Sequence, residues 1–396
     1  MKQKKMNPET IVTHLGEDRL GERGAVVSPI YQNSLFTFED WDAIDEAFND
    51  KVNNCIYTRG QNPTVRIAEE KIAALAGGER AELLGSGMAA ISAAVLHFLQ
   101  AGDHVVTLNS LYGPAGSFIE SYLTVKMGIS VTRVSGEKVE DFQAAIQENT
   151  RLFYLESPST AVFSLQDIRA VAGLAKSRGI HTVIDNTWAT PLFQKPLEMG
   201  IDLEVHSCSK YLGGHSDIVA GVVIGREKDI IPISEVEQQL LGGKMAPFEA
   251  WLLTRSLRTL PLRMERHQES AMEVAEYLES HDRVRRVLYP GLPSFPQYEL
   301  GRRQMSGYSG LLSFEIDTDD MEVVKKFVNS LRLFKIGVSW GGHESLVYAP
   351  AISYLKELPV EMFRNMGIAP GLIRFSVGLE NLVDLIDDLE QALRSM

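Results

Sequence analysis

Between about residue 61 and about residue 255, short runs of β-branched residues alternate with stretches of helical periodicity. This alternation constrains the fold more than any other feature, because strands separated by helices pair as a largely parallel sheet with helices on its faces. The runs predict strands at Ala81–Leu84, His104–Leu108, Ser130–Val134, Leu152–Leu155, Thr182–Ile184, Glu204–His206 and Ile218–Ile224. Helices are predicted at Gly87–Gln100, Gly116–Met127 and Leu165–Arg178. The first sixty residues carry turn signals at Gly21–Gly24 and Ser28-Pro29 and read as an irregular arm. A long amphipathic segment, Phe248–His281, is interrupted at Pro261, which must break or kink a helix. Beyond it strands at Gly310–Ile316, Leu333–Val338 and Leu372–Val377 interleave with helices at Asp320–Ser330 and Asn381–Ser395. The expected plan is an arm (1–60), an α/β domain with a mainly parallel seven-stranded sheet (61–255) and a smaller C-terminal α+β domain (256–396).

Composition narrows the partners. A net charge of -13 argues against nucleic acid and anionic membranes, both of which reward a basic surface. No apolar run approaches the length of a membrane span, and Met1–Pro8 has charge without the apolar core of a signal peptide. The two cysteines, Cys55 and Cys208, are too few for a disulfide framework or a cysteine-based metal cluster. A cytoplasmic protein is expected.

Chemistry gathers where the strands end. Asp185 is a lone acid closing the apolar run Ile180–Ile184, and Lys210 follows Ser207-Cys208-Ser209 just before a turn at Gly213-Gly214. Each ends a predicted parallel strand, the edge at which open α/β sheets bind ligands. A lysine for a Schiff base, hydroxyls for a phosphate and a carboxylate for a pyridinium nitrogen are the parts that pyridoxal phosphate needs. Such a carboxylate keeps the nitrogen protonated, which makes the ring an electron sink for an amino acid's α-carbon.

Other candidates have two readings each. Gly85–Ala90 lies between a strand and a helix; it is either a phosphate cradle at a helix start or a tight turn that needs glycine. Arg59, in Tyr57-Thr58-Arg59, is a phosphate clamp or an ordinary ion-pair partner. The ring of Tyr112 covers the strand edge or packs in the core. Arg374 is a charge inside the apolar strand Leu372–Val377; a charge there needs a partner, and a substrate carboxylate would supply one. Ser339-Trp340-Gly341-Gly342-His343-Glu344 lines a pocket or simply packs. His206 and His215 flank the lysine, yet no ligand spacing of a closed metal site appears. Gly85-Ser86-Gly87 lacks the spacing of a hydrolase nucleophile elbow.

The residues also carry a resemblance. The run from Asp202 through Ser207-Cys208-Ser209-Lys210-Tyr211-Leu212 to Gly214-His215-Ser216 resembles the signature of the pyridoxal-phosphate enzymes of cysteine and methionine metabolism. The similarity extends from Tyr57–Thr64 through Leu372–Glu380. Within that family, Ile184–Ala189, Val338–Leu346 and Arg374–Glu380 are most similar to bacterial cystathionine β-lyases. The Met-Thr-His segment usual in γ-acting members is missing between Tyr348 and Leu372, and Pro114 replaces a cysteine typical of methionine γ-lyases.

The resemblance implies the type I pyridoxal-phosphate fold and a homotetramer, a dimer of dimers with shared active sites. It implies Lys210 as the Schiff-base lysine, Asp185 as the pyridinium partner and Tyr112 stacked on the ring. Gly87, Met88, Ser207 and Ser209 would hold phosphate, with Tyr57 and Arg59 reaching the phosphate of a neighbouring subunit. Arg374 would bind the carboxylate of a sulfur-containing amino acid, with Ser339 and Trp340 beside it. The expected activity is carbon–sulfur β-elimination, with γ-elimination or γ-synthesis, or a non-catalytic sensor, as alternatives. Two positions depart from the family pattern: Thr160 stands where many members have asparagine, and Val338 where the β-lyases tend to have tyrosine.

Overall fold

The computed structural model describes residues 6–353, 356 and 366–396. Seven strands form the first sheet: β1 (Arg80–Leu84), β2 (His104–Leu108), β3 (Ser130–Val134), β4 (Thr150–Glu156), β5 (His181–Asp185), β6 (Leu203–Ser207) and β7 (Gly221–Gly225). Their order is β1-β7-β6-β5-β4-β2-β3, and β7 alone runs against its neighbours β1 and β6. The mainly parallel sheet therefore stands as the sequence suggests, and β2 and β4 are buried almost throughout, as strands covered on both faces must be. One face is packed by the helices Gly87–Phe98 and Ile168–Arg178, the other by Pro63–Ala76 and Pro247–Leu257.

A second sheet has the order β10-β11-β12-β9-β8, made of β8 (Val284–Leu288), β9 (Leu311–Ile316), β10 (Lys335–Ile336), β11 (Leu346–Tyr348) and β12 (Leu372–Ser376). The helices Leu260–Glu279 and Leu382–Arg394 bury their apolar stripes against it. Trp188, just after β5, donates its indole N–H to Leu311 O at 3.0 Å and so joins the two sheets.

Several expectations need correction. Of the two outcomes expected at Pro261 the break is found, since one helix ends at Leu257 and Pro261 lies in the first turn of the next, where its missing N–H costs nothing; the others differ as follows. The strand expected over Leu333–Val338 contracts to Lys335–Ile336, and that expected over Ile218–Ile224 begins only at Gly221. The arm is not wholly irregular, since Pro8–His14 and Trp41–Asn49 are helical. Part of the segment between Tyr348 and Leu372, where the Met-Thr-His absence falls, lies outside the described residues. No described helix is long and apolar enough to cross a membrane.

Candidate active site

Parallel pairing sets the ends of β4, β5 and β6 side by side, with Glu156 in register with Asp185. Asp185 is buried. Its Oδ1 accepts the backbone N–H of Thr187 at 2.9 Å and the Thr187 hydroxyl. The same hydroxyl oxygen accepts the Ser207 N–H at 2.9 Å, so a chain of donors ties the end of β6 to the acid on β5.

Lys210 sits on the turn after β6, its Nζ 3.4 Å from Ser207 Oγ. The ring centroids of Tyr112 and Trp340 lie 5.7 Å and 4.9 Å from that ammonium. Burial holds the Lys210 pKa below the ordinary lysine value, with Arg374 acting the same way and Asp185 and Glu156 opposing. The turn needs glycine at 214. Its φ is +65°, and a β-carbon would fall 1.9 Å from Nη1 of Arg263, which donates to Tyr211 O at 2.7 Å. Ser209 braces the same turn, accepting Ala220 N–H at 3.0 Å.

Opposite Ser207 lies the start of the helix Gly87–Phe98, capped by Ser86, whose Oγ accepts Ala89 N–H at 3.0 Å. The amides of Gly87 and Met88 open that helix and have no acceptor within it, and the helix dipole adds positive potential there. A β-carbon on Gly87 would stand 3.0 Å from Ser207 Oγ, so the absent side chain leaves a concavity between amides and hydroxyl. This is an anion cradle.

The second sheet supplies the opposite wall. Arg374, on β12, donates from Nη2 to Val338 O at 2.8 Å and Ser339 O at 3.3 Å, and its guanidinium lies 4.9 Å from the Tyr348 ring centroid. The loop carrying Ser339 and Trp340 continues from this arginine to Lys210, and Gly341 N–H closes it onto Ser376 Oγ at 3.0 Å. Val338 is 81% exposed.

The structure thus brings together Lys210, Asp185, Tyr112, Ser207, Ser209, Gly87, Met88, Ser339, Trp340 and Arg374. It does not bring in Tyr57 and Arg59. Arg59 lies 5.6 Å from the Tyr57 ring centroid, and its carbonyl accepts Gln238 Nε2 at 2.7 Å, contacts within the arm and the turn Ser234–Gln238. Tyr57 is 48% exposed.

Sequence reasoning missed Glu156. It is buried, its Oε2 accepts Tyr112 N–H at 2.6 Å, and its Oε1 pairs with the Thr160 hydroxyl at 2.5 Å. The signal was an acid ending an apolar strand, the pattern that singled out Asp185 one strand on. Thr187 and Tyr348 were missed too; Thr187 was legible as the residue two after an aspartate, where side chain and backbone close a turn. Among the described residues no group of His, Cys, Asp or Glu is placed to hold a metal.

The donor set fits pyridoxal phosphate: a cradle for its phosphate, a desolvated lysine for its aldehyde, an aromatic ring beside the lysine and a carboxylate among them. Comparisons with known proteins agree. The model of the family "Cys/Met metabolism PLP-dependent enzyme" matches residues 9–394. The L-methionine gamma-lyase of Porphyromonas gingivalis is 42% identical, over 94% of each chain. The cystathionine beta-lyase of Lactococcus lactis subsp. cremoris is 39% identical, over 97% of this chain and 98% of its own. Among solved structures, a putative O-acetylhomoserine (thiol)-lyase from Campylobacter jejuni containing N'-pyridoxyl-lysine-5'-monophosphate superposes with a TM-score of 0.94 at 31% identity, covering 98% of this chain and 100% of that one. The fold is therefore that of the type I pyridoxal-phosphate enzymes. The chain belongs to the pyridoxal-phosphate-dependent enzymes of cysteine and methionine metabolism, as a lyase of sulfur amino acids.

Proposed function

We propose that the protein cleaves L-cystathionine by β-elimination, giving homocysteine, pyruvate and ammonia with uptake of one water. The observation that carries this reading is the Lys210 amine beside Trp340, with the field of Arg374 reaching it from the other sheet. A base and a carboxylate anchor on opposite walls suit an α-amino acid. Bound pyridoxal phosphate supplies the electron withdrawal that makes the Cα–H bond acidic.

The chain's residues do the rest. Gly87, Met88, Ser207 and Ser209 would hold the phosphate, Tyr112 would cover the ring and Asp185 would pair with the ring nitrogen. Arg374 pairs with the substrate carboxylate and turns the Cα–H bond toward Lys210, with Ser339 and Trp340 lining the approach. Lys210 would hold the cofactor's aldehyde carbon through Nζ, and the same Nζ, when free, would take the Cα proton. Burial favours this by lowering the pKa of the free amine. Lys210 or the Tyr112 hydroxyl then returns a proton to the departing sulfur.

The β choice rests on Trp340-Gly341-Gly342-His343-Glu344, similar to the β-lyases, lying against the lysine. A γ-elimination reading is favoured by the exposed Val338, which leaves the distal side open, and by the methionine γ-lyase relative. Incubation with L-cystathionine and identification of the oxo acid decides: pyruvate is expected, and 2-oxobutanoate from both cystathionine and methionine replaces the β-lyase reading.

Tyr57 and Arg59 reach the phosphate of a neighbouring copy in a homotetramer built as a dimer of dimers. Mixed Arg59→Ala and Lys210→Ala subunits should therefore regain activity, because hybrid pairs hold one site with both native residues. No recovery despite proven subunit exchange contradicts the shared site.

A further inference from the structure

Glu156 is the one buried acid at the sheet edge that the proposed mechanism leaves without a part. It ends β4 beside Asp185, on an adjacent strand and in register. Neighbouring strands lie about 4.8 Å apart, and two buried carboxylates at such a distance do not both ionise readily. The hydroxyl partners of the two acids are placed differently. Thr187 Oγ1 accepts the Ser207 N–H and donates its own hydrogen to Asp185, which also accepts the Thr187 N–H. The Thr160 hydroxyl can accept a proton from Glu156 Oε1 as well as donate one, across the same 2.5 Å, and the Thr160 N–H also faces this carboxyl. The second oxygen, Oε2, remains an acceptor for Tyr112 N–H at 2.6 Å in either state.

From this geometry we infer that Glu156 is a positioning residue of the active site, a neutral carboxyl that fixes Tyr112 to the end of β4 and leaves Asp185 as the negative charge beneath the cofactor. The titratable groups that face it agree, against the hydrogen bonds from the Thr160 hydroxyl and the Tyr112 and Thr160 N–H groups, which favour the ionised form. Asp185 on β5 disfavours its ionisation, Tyr154 on β4 and Tyr112 bring no charge, and Lys210 is itself driven toward its neutral form by burial. Burial first, and Asp185 second, push the Glu156 carboxyl well above its ordinary value. Thr160 is thereby explained as the acceptor of the Glu156 proton, a part that the asparagine of many relatives would fill with a different geometry. The inference rests on the proposed parts of Asp185 and Tyr112.

Glu156→Gln mimics the neutral acid, with the amide donating to Thr160 and the carbonyl accepting from Tyr112. Difference infrared spectra of the holoenzyme against this variant at neutral pH should show loss of a protonated-carboxyl C=O band. Loss of carboxylate bands alone overturns the inference, whatever Asp185 does. In a second experiment pyridoxal phosphate is titrated into the apoproteins and the pH midpoint of the bound cofactor's visible band is followed. Glu156→Gln should keep both affinity and midpoint. Glu156→Ala leaves the Tyr112 amide without its acceptor and should weaken cofactor binding about tenfold. A midpoint displaced in Glu156→Gln as in Asp185→Asn overturns the inference, and so does equal affinity in the Gln and Ala variants. An unmoved midpoint in Asp185→Asn removes the charge under the cofactor from Asp185 while the infrared result on Glu156 stands apart. If Glu156→Ala fails to fold, the infrared band of Glu156→Gln still decides.

Discussion

Two polar clusters are built on β5 and β6, and they are constructed oppositely. In the first, Glu204 Oε1 accepts from His206 Nε2 and Asn186 Nδ2, both at 2.7 Å, while Gln194 Nε2 donates to Asn186 Oδ1 at 2.9 Å. All four side chains are buried and bind one another, although Glu204 Oε2, His206 Nδ1 and Gln194 Oε1 have no further hydrogen-bond partner among the described residues. In the second, the Lys210 ammonium has a 3.4 Å contact with one hydroxyl and otherwise faces aromatic rings, and the first amides of the neighbouring helix have no helical acceptor. His206 and Lys210 are four residues apart in the chain, yet the histidine meets a carboxylate at 2.7 Å and the lysine a single hydroxyl at 3.4 Å. Buried groups that meet a counter-charge stabilise the fold, whereas an amine and helix-start amides fixed without one are placed to serve a ligand.

The comparison breaks most visibly at its centre. Lys210→Ala should lower turnover by about 10⁴-fold, the upper range for a general acid–base group, while the thermal midpoint holds or rises because a desolvated amine is gone. A large fall in stability would move Lys210 into the structural class. Next comes the closed cluster: Glu204→Leu strands the donors of His206 and Asn186 and should cost about 3 kcal/mol in denaturant unfolding. Turnover per folded molecule should change little; a selective loss of turnover would erase the distinction between the clusters.

Arg374→Leu should reduce kcat/KM about 100-fold, because the contact that captures the carboxylate also orients the Cα–H bond. Cofactor affinity should move far less, and equal losses in both would mark a role confined to the strand. The smallest effect is a pH dependence. His267 Nδ1 donates to Val377 O across 2.8 Å, and burial lowers its pKa from 6.5 to about 4. The unfolded chain then binds the extra proton, so this contribution is complete above pH 6.5 and is lost as pH falls toward 4. Unfolding free energy should drop by about 2 kcal/mol between about pH 6.5 and pH 5 on this account, and His267→Asn should flatten the slope.

The parallel sheet was legible because strands covered on both faces carry continuous apolar runs, as in Leu152–Leu155 and Thr182–Ile184. The reversal of β7 was not, since a strand's direction leaves no mark on its composition. The edge strand β8, Val284–Leu288, escaped notice because Arg285 and Arg286 point into solvent and break the run. The helix Pro63–Ala76 was missed despite Asn62, which accepts Thr64 N–H as its cap, and Pro63 at its start. In the site, Lys210 and Asp185 were legible from residue type and position. Glu156 was not, because its place beside Asp185 comes from the register of two strands. Tyr57 and Arg59 meet each other within their own chain, and their proposed ligand belongs to another copy.

The central claim is that the lysine left unpaired at the end of β6 carries the cofactor. Borohydride reduction of the holoenzyme followed by proteolysis and peptide mapping tests it most directly. The expected result is one pyridoxyl-modified peptide, with the label on Lys210, and no label in Lys210→Ala. Labelling of a different lysine in the native protein would contradict the assignment of the site.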